Sequence, residues 1–300
     1  MRIDSTIVKN VIEEKLNKRL ISFSLKGEGM CNYAWYAISE DNQIYMIKQE
    51  KPEKEEEEHN DLLTEAGIIR KLNEKSSSLP VPQLIFVADN PKMYGYQYIE
   101  GEMMKSAWGF LSQQEKILLC EDLGKFHALL GNALTMEEIG ELKVTNRWQA
   151  ALEKETEDDV KLFLHDASIP QPYKQLIKRL YKIQHETKVL AHFGLCHNDS
   201  HHENILLNEG KLAGIIDFGD SDFGDVHREF ARYVQDYPHY VEIIVNTYEK
   251  LSGKTLCRRR MLAISLLEIV DDLRTEYIKN GRMELLDRLS LWFTELTLDR

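Results

Sequence analysis

The stretch Leu195-Cys-His-Asn-Asp-Ser-His-His-Glu-Asn-Ile-Leu-Leu207, followed by Gly214-Ile-Ile-Asp-Phe-Gly-Asp220, decides how the chain is read. It holds two short apolar runs, Ile205-Leu-Leu207 and Leu212-Ala-Gly-Ile-Ile216, and Asn208-Glu-Gly210 between them has hairpin turn chemistry. Pairing the runs brings Asn204, just before the first strand, close to Asp217, just after the second. An amide oxygen and a carboxylate at one strand mouth are hard ligands suited to Mg²⁺, which keeps some waters and takes its other ligands from substrate phosphates. Asp199 stands one loop away. Phosphoryl transfer to an alcohol calls for a carboxylate that orients the hydroxyl and accepts its proton, so Asp199 is the expected catalytic residue and Asn204 and Asp217 the expected metal ligands.

The spacing also matches the kinase pattern His-x-Asp-x-x-x-x-Asn followed by Asp-Phe-Gly. Here it reads His197-Asn-Asp199-Ser-His-His-Glu-Asn204 and Asp217-Phe218-Gly219. With His201 two residues after the aspartate and the form Gly-x-Ile-Asp-Phe-Gly-Asp, the chain resembles the aminoglycoside phosphotransferase family, closest in flavour to its 2″-acting members. The resemblance runs from the glycines near residue 27 to about residue 230. It implies an α+β, bilobal, protein-kinase-like fold: a small antiparallel five-stranded N-lobe over 1–99, a hinge at 100–102 and a larger, mostly helical C-lobe over 103–300.

The N-terminal third carries its own signals. A helical stripe of Ile7, Val8, Val11, Ile12 and Leu16 follows a cap at Asp4 or Ser5. Ile21 to Leu25 and Ala34 to Ser39 read as strands flanking Lys26-Gly-Glu-Gly-Met-Cys-Asn-Tyr33, where Gly27 and Gly29 let backbone N–H groups approach a nucleotide phosphate. The third glycine of the kinase loop is replaced by Asn32. Ile44 to Lys48 is a strand ending on the lysine expected at the α- and β-phosphates. The run Glu53 to Glu58 reads as a solvated, self-repelling segment. Beyond it, Leu62, Leu63, Ala66, Ile69 and Leu72 form an apolar helical stripe, and Glu65 lies on that same inward face. A carboxylate facing a core needs a cation, and Lys48 is its natural partner. Gln83 to Ala88 and Met93 to Ile99 complete five strands.

The resemblance further places adenine recognition at the hinge backbone, on the Gln97 carbonyl and the Ile99 amide, with Tyr96 beside the purine. A capping box at Ser112-Gln-Gln-Glu115 opens a helix whose stripe is Ile117, Leu118, Leu123, Phe126 and Leu130, and His127 there reads as a satisfied core histidine. Residues 146 to 165 and 172 to 190 form two charge-rich helices. The segment Ser221-Asp-Phe-Gly-Asp225-Val-His-Arg-Glu229-Phe resembles a family element with Glu229 in place of its last Asp, which implies that Asp225 anchors the catalytic-loop backbone. The tail from Tyr237 is helical, with Leu266, Leu267, Ile269, Val270 and Leu273 facing inward. Glu268, Asp271 and Asp272 make an acid cluster that, with Asp220, lines a cleft for a polyamine or simply faces solvent.

Composition narrows the setting. Of 300 residues 43% are apolar, which supports ample core, and no apolar run is long enough to span a bilayer. The four cysteines, Cys31, Cys120, Cys196 and Cys257, are dispersed, as buried thiols in a reducing compartment are. With no signal-type apolar start, a cytoplasmic protein is expected. A net charge of −12 argues against nucleic acid as a partner and favours a cationic ligand.

The expected activity is transfer of the γ-phosphate of ATP or GTP, with Mg²⁺, to a hydroxyl of a cationic aminoglycoside-type antibiotic. The alternatives are a kinase of another small molecule (another amine antibiotic, a macrolide, choline, homoserine or a sugar) and a nucleotide-binding module without transfer. The purine, the hydroxyl modified and the oligomeric state stay open at this level.

Overall fold

In the computed structural model the described residues are 4–29, 31–51, 61–75, 78–144 and 147–280. In chain order they run α1 (Ser5–Leu16), β1 (Leu20–Glu28), β2 (Asn32–Ser39), β3 (Ile44–Glu50), α2 (Leu62–Lys75), β4 (Leu84–Asp89), β5 (Lys92–Gln97), β6 (Glu102–Met103) and α3 (Met104–Ala107). Then come α4 (Gln113–Leu130), α5 (Met136–Leu142), α6 (Arg147–His165), α7 (Gln171–Glu186), β7 (Phe193–Cys196), β8 (Ile205–Asn208), β9 (Lys211–Ile215) and β10 (Asp222–Asp225). A 3₁₀ segment, Val226–Phe230, leads into α8 (Ala231–Asp236), α9 (Val241–Ser252), α10 (Arg258–Leu267) and α11 (Val270–Asn280). The acidic run Glu53 to Glu58 and the end of the tail beyond 280 lie outside the described residues. Two compact units result. Met1–Leu119, Ala133–Val144 and His202–Ser221 form the first; Cys120–Asn132, Thr145–His201 and Asp222–Arg300 form the second. Asp199 therefore belongs to the second unit, and Asn204 and Asp217 to the first.

The first unit is built on a five-stranded antiparallel sheet in the order β1-β2-β3-β5-β4. Strict alternation makes it two-faced: in β2 and β3, Tyr33, Trp35, Ala37, Tyr45 and Ile47 are buried on one side, where Val8 and Ile12 of α1 pack. Asp4 caps α1 by accepting from Thr6 N at 2.8 Å. Lys48, one residue out of phase with Ile47, points to the other face. There α2 lays down Leu62, Ala66, Ile69 and Leu72, and Glu65 is buried with them. The sequence therefore reads correctly as five strands and one core helix.

A second, three-stranded sheet, β6-β8-β9, completes this unit. The β8–β9 hairpin turns on Glu209 and Gly210, with φ of 49° and 76°, the left-handed pair that a two-residue turn requires. Glu102, expected in the hinge, pairs with Leu207 as the first residue of β6. Gly101 before it has a φ of 156°, and a Cβ there would collide with the Leu207 carbonyl.

The second unit is mostly helical around one two-stranded antiparallel ladder, β7 with β10. Its core includes Phe126, Phe163, Ile177, Leu180, Phe230, Tyr233, Val245, Tyr248, Leu266 and Val270. The expected stripe of α4 is shifted: Leu119, Cys120, Leu123 and Phe126 are buried, whereas Leu118 is 50% exposed. Counting three and four residues back from Leu123 gives 120 and 119, so the helix period selects them over Leu118. The four cysteines are free thiols, Cys120 and Cys196 fully buried. Among the described residues no helix is long and apolar enough to cross a membrane.

Candidate active site

In the first unit three groups converge on Glu65. Lys48 Nζ lies 2.9 and 2.8 Å from its two carboxylate oxygens, Tyr94 OH donates at 2.8 Å, and the Phe218 N–H donates at 3.0 Å. Lys48 also donates to Asp217 Oδ1 at 2.7 Å. β3, α2, β5 and the end of the β8–β9 hairpin thus each contribute to one ion network. Burial alone would favour a neutral amine, but the Glu65 and Asp217 carboxylates outweigh it and hold Lys48 above the ordinary lysine range. Burial pushes the Glu65 carboxyl up, against the donors it receives from Lys48 and Tyr94. Burial likewise pushes Tyr94 up, so its hydroxyl stays protonated and keeps donating. Tyr96, half-buried near Lys48, is raised mainly by the loss of water around its hydroxyl.

Asn204 enters through the hairpin. The Ile216 N–H donates to the Asn204 carbonyl at 3.0 Å, which sets Asn204 beside the residue preceding Asp217. Asp217 takes a left-handed φ of 69°, a region that Asp and Asn enter more readily than other non-glycine residues, and its side chain is half exposed. An amide and a carboxylate at one hairpin mouth offer only oxygen donors. That donor set fits Mg²⁺.

The residues expected on the nucleotide side are placed as follows. A Cβ on Gly27 would stand 4.0 Å from Ala34 Cβ, and one on Gly29 3.7 Å from the Asn32 carbonyl; neither glycine has a left-handed φ. The fold itself tolerates side chains at both positions. Gln97 ends β5 and gives its N–H to the Gln83 carbonyl at 3.0 Å. Among the described residues the Ile99 N–H has no hydrogen-bond partner. Its side chain packs onto Gly214, where a Cβ would sit 2.7 Å from Ile99 Cδ1, so the first glycine of the Gly-x-Ile-Asp element makes room for the residue before the hinge.

In the second unit one buried carboxylate organises the loop that carries Asp199, the expected catalytic residue. Glu229 Oε2 accepts from the His197 N–H at 2.6 Å and the Asn198 N–H at 3.2 Å, and Oε1 accepts from Ser200 Oγ at 3.0 Å. His127 Nδ1 lies 3.3 Å from Oε1, while its Nε2 meets Tyr233 OH at 2.8 Å. Burial pulls His127 down to about 4 against the opposing pull of Glu229, so the ring is neutral. His127 is thus a core histidine as expected, but only half satisfied: Nε2 is hydrogen-bonded and the buried Nδ1 is not.

Glu229 does what the sequence assigns to Asp225. The Asp225 carboxylate is instead gripped by Arg260 Nε at 2.6 Å and His227 Nδ1 at 2.7 Å. Asp225 touches the loop only indirectly: its N–H donates to Gln149 Oε1 at 2.6 Å, and Gln149 Nε2 donates to Asn198 Oδ1 at 3.1 Å. Gly224 leaves room for that amide, since a Cβ there would collide with the Gln149 side chain. No side-chain pattern singles Glu229 out in the sequence, where His227 and Arg228 precede it and Phe230 follows.

Asp199, held between these anchors, presents Oδ2 at 3.5 Å from His201 Nε2 and Oδ1 at 3.9 Å from Arg232 Nη2, with 24% of its side chain exposed. Its own N–H donates to His197 Nδ1 at 3.2 Å. The acid cluster of the tail is less available than its sequence implies: Glu268 Oε1 lies 3.0 Å from Arg228, and Asp271 Oδ1 lies 2.6 Å from Arg274. Asp272 is exposed on α11, and Asp220 is half-buried in the first unit.

A lysine–glutamate pair under a glycine-bearing hairpin, with an aspartate at a second hairpin, defines a phosphotransferase of the kinase-like kind. The chain belongs to the phosphotransferase enzyme family, whose model matches residues 27–260. Solved structures of the same fold include the streptomycin–ATP–APH(2″)-IIa ternary complex, at 16% identity and a TM-score of 0.62, covering 98% of this chain and 97% of that one. The GDP complex of aminoglycoside 2′-phosphotransferase-IIIa matches at 15% identity and a TM-score of 0.67, covering 98% of each chain. Macrolide 2′-phosphotransferase type I matches at 12% identity and a TM-score of 0.65, covering 95% of each.

Proposed function

We propose that the chain moves the γ-phosphate of ATP or GTP to a hydroxyl of a cationic, aminoglycoside-type small molecule in the cytoplasm, inactivating it as an antibiotic. The observation that carries the phosphoryl-transfer reading is the Lys48–Glu65–Asp217 network, because a fold needing only a salt bridge has no use for a second carboxylate, half exposed, on the same lysine. Residues 1–99 form the nucleotide lobe in this proposal, 100–102 the hinge and 103–300 the lobe that carries the catalytic loop and the acceptor.

Lys48, steadied by Glu65, binds the α- and β-phosphates. Gly27 and Gly29 let backbone N–H groups close on the phosphates, which explains glycine where the fold does not demand it. The Ile99 N–H and the Gln97 carbonyl hold the base. Asn204 and Asp217 hold Mg²⁺, which supplies positive charge against the phosphate oxygens when bound. Asp199 orients the acceptor hydroxyl and receives its proton. Most of the rate comes from positioning, as expected for a loose transition state.

The amine side of the proposal rests on the net charge of −12 and on the aminoglycosides named in the related structures. The pairing of Glu268 with Arg228 and of Asp271 with Arg274 favours a second reading, a less charged acceptor such as a macrolide on the same chemistry. Nucleotide consumption, measured with ATP and GTP separately against aminoglycosides, macrolides, other amine antibiotics, choline, homoserine and sugars, separates the two. Stimulation by aminoglycosides alone supports the first, and stimulation by macrolides alone the second. Consumption that no acceptor changes points to a nucleotide-binding module and ends both.

A further inference from the structure

The arginines of the second unit differ in how they are engaged. Arg228 Nη1 stands 3.0 Å from Glu268, Arg258 grips both Glu242 and Glu249, Arg260 donates to Asp225 and to the Gln184 carbonyl at 2.9 Å, and Arg274 chelates Asp271. Arg232, in the first turn of α8, is unlike these four: like the exposed Arg259 it makes no hydrogen bond among the described residues, but unlike Arg259 it stands beside a carboxylate. Its side chain is 43% exposed, and its one ion pair among the described residues is the 3.9 Å approach to Asp199 Oδ1; at longer range its charge also favours the ionised form of Glu268. That separation is beyond hydrogen-bond range, and so loose and exposed a pair contributes little to stability. A guanidinium with five N–H donors is thus held beside the carboxylate that receives the acceptor's proton, without being committed to it.

The chemistry at that carboxylate fixes what else must be near. When transfer occurs, the acceptor O–H proton goes to Asp199, the acceptor oxygen bonds to the γ-phosphorus, and the bond from that phosphorus to the β,γ-bridging oxygen breaks, its electron pair leaving on the nucleoside diphosphate. The hydroxyl oxygen lies within hydrogen-bond reach of Asp199, and the phosphorus lies about 3 Å beyond it at the moment of attack. Charge then spreads over the three equatorial oxygens of the moving group. Lys48 is assigned to the α- and β-phosphates, and the metal and the glycine-loop N–H groups approach from the nucleotide side, so a further donor to these oxygens has its place on the acceptor side, beside Asp199. Two cationic or potentially cationic side chains flank the Asp199 carboxylate, His201 at Oδ2 and Arg232 at Oδ1. Arg232 alone of the two carries a charge that does not depend on pH.

We propose that Arg232 is a further catalytic residue, a donor supplied within the chain to the equatorial oxygens of the phosphoryl group in transit. The inference rests on the phosphotransferase reading above. It also gives a reason for where α8 begins. The helix starts directly after the 3₁₀ segment that carries Glu229, so the loop anchor and the arginine are set by one stretch of backbone.

The test uses the full chain with Mg²⁺, nucleoside diphosphate and fluoroaluminate, a mimic of the moving phosphoryl group, and titration calorimetry. The unaltered protein should bind the diphosphate more tightly when fluoroaluminate is present. Arg232→Ala should keep the plain diphosphate affinity, which shows that it is folded, and lose the fluoroaluminate gain; Arg232→Lys should recover part of it. With the acceptor identified from the panel, kcat of Arg232→Ala should fall about 10²-fold at little changed KM. A variant that keeps the fluoroaluminate gain, or one in which only the acceptor KM rises, overturns the assignment, as does absence of any gain in the unaltered chain. Failure of the broader reading looks different: no acceptor of the panel would then raise nucleotide consumption by the unaltered chain, whatever Arg232 does.

Discussion

Two carboxylates, Glu65 in the first unit and Glu229 in the second, are both buried and solve the same problem in opposite ways. Glu65 is matched to a cation, Lys48, with a tyrosine hydroxyl and one backbone N–H in support. Glu229 is matched mainly to backbone, the N–H groups of His197 and Asn198, with the Ser200 hydroxyl and a neutral His127 close by. An ion pair can exchange partners when a ligand brings new charge, and Lys48 already shares itself between Glu65 and Asp217. A carboxylate clamping two amides cannot let go without collapsing the loop. The first arrangement suits a group that must rearrange around phosphates; the second suits one that must stay still.

That contrast breaks first at Glu229. Glu229→Ala leaves the buried His197 N–H, the half-buried Asn198 N–H and the Ser200 hydroxyl without their acceptor, and should cost roughly 4 kcal/mol in urea unfolding. A loss under about 1 kcal/mol would mean that the loop is held by something else. Next is pH. His127 is depressed to about 4 in the folded chain against an unfolded value near 6.5, so the unfolded state binds more protons between those values and stability falls as pH drops through that window. The loss between pH 7 and 4 should be about 3 kcal/mol, and His127→Leu should remove that limb from the pH profile.

At the ion pair the effect is smaller and has the opposite sign with pH. Lys48→Met should cost roughly 2 kcal/mol at pH 8, less than a fully uncompensated charge because Tyr94 and Phe218 still donate. With its cation gone, Glu65 is raised further by burial, so the folded variant takes up a proton above the unfolded carboxylate range. Its deficit should therefore shrink toward pH 5; a deficit independent of pH contradicts the account. The smallest change is expected at the glycine hairpin. Gly27→Ala should alter unfolding by no more than about 0.5 kcal/mol, since the added methyl meets only ordinary contacts, yet it should weaken Mg-nucleotide binding.

The same contrast explains what could be read from the chain alone. Lys48 and Glu65 were legible because each sits on a regular period: the lysine on alternation in β3, the glutamate on the apolar stripe of α2. The β8–β9 hairpin was legible from its turn residues, and so was the approach of Asn204 to Asp217. The Glu229 clamp was not. It joins residues 32 positions apart through backbone amides, which leave no side-chain signature, and Asp225 nearby offered a shorter acid for the same role. The β7–β10 ladder was hidden too, since Asp222-Phe-Gly-Asp225 has no alternation and is buried only because Gln149, His227 and Arg260 satisfy its polar groups. Arg232 carried no pattern at all; only the geometry sets it beside Asp199.

The central claim is that Asp217 serves the Mg-nucleotide and Asp199 serves the proton. Calorimetric titration of Asp199→Ala and Asp217→Ala with Mg-nucleotide tests it most directly. Asp199→Ala should bind as the unaltered chain does while turning over about 10²–10⁴-fold more slowly, and Asp217→Ala should lose affinity as well as turnover. Equal affinities in the two variants, or full turnover in either, would contradict the division of labour.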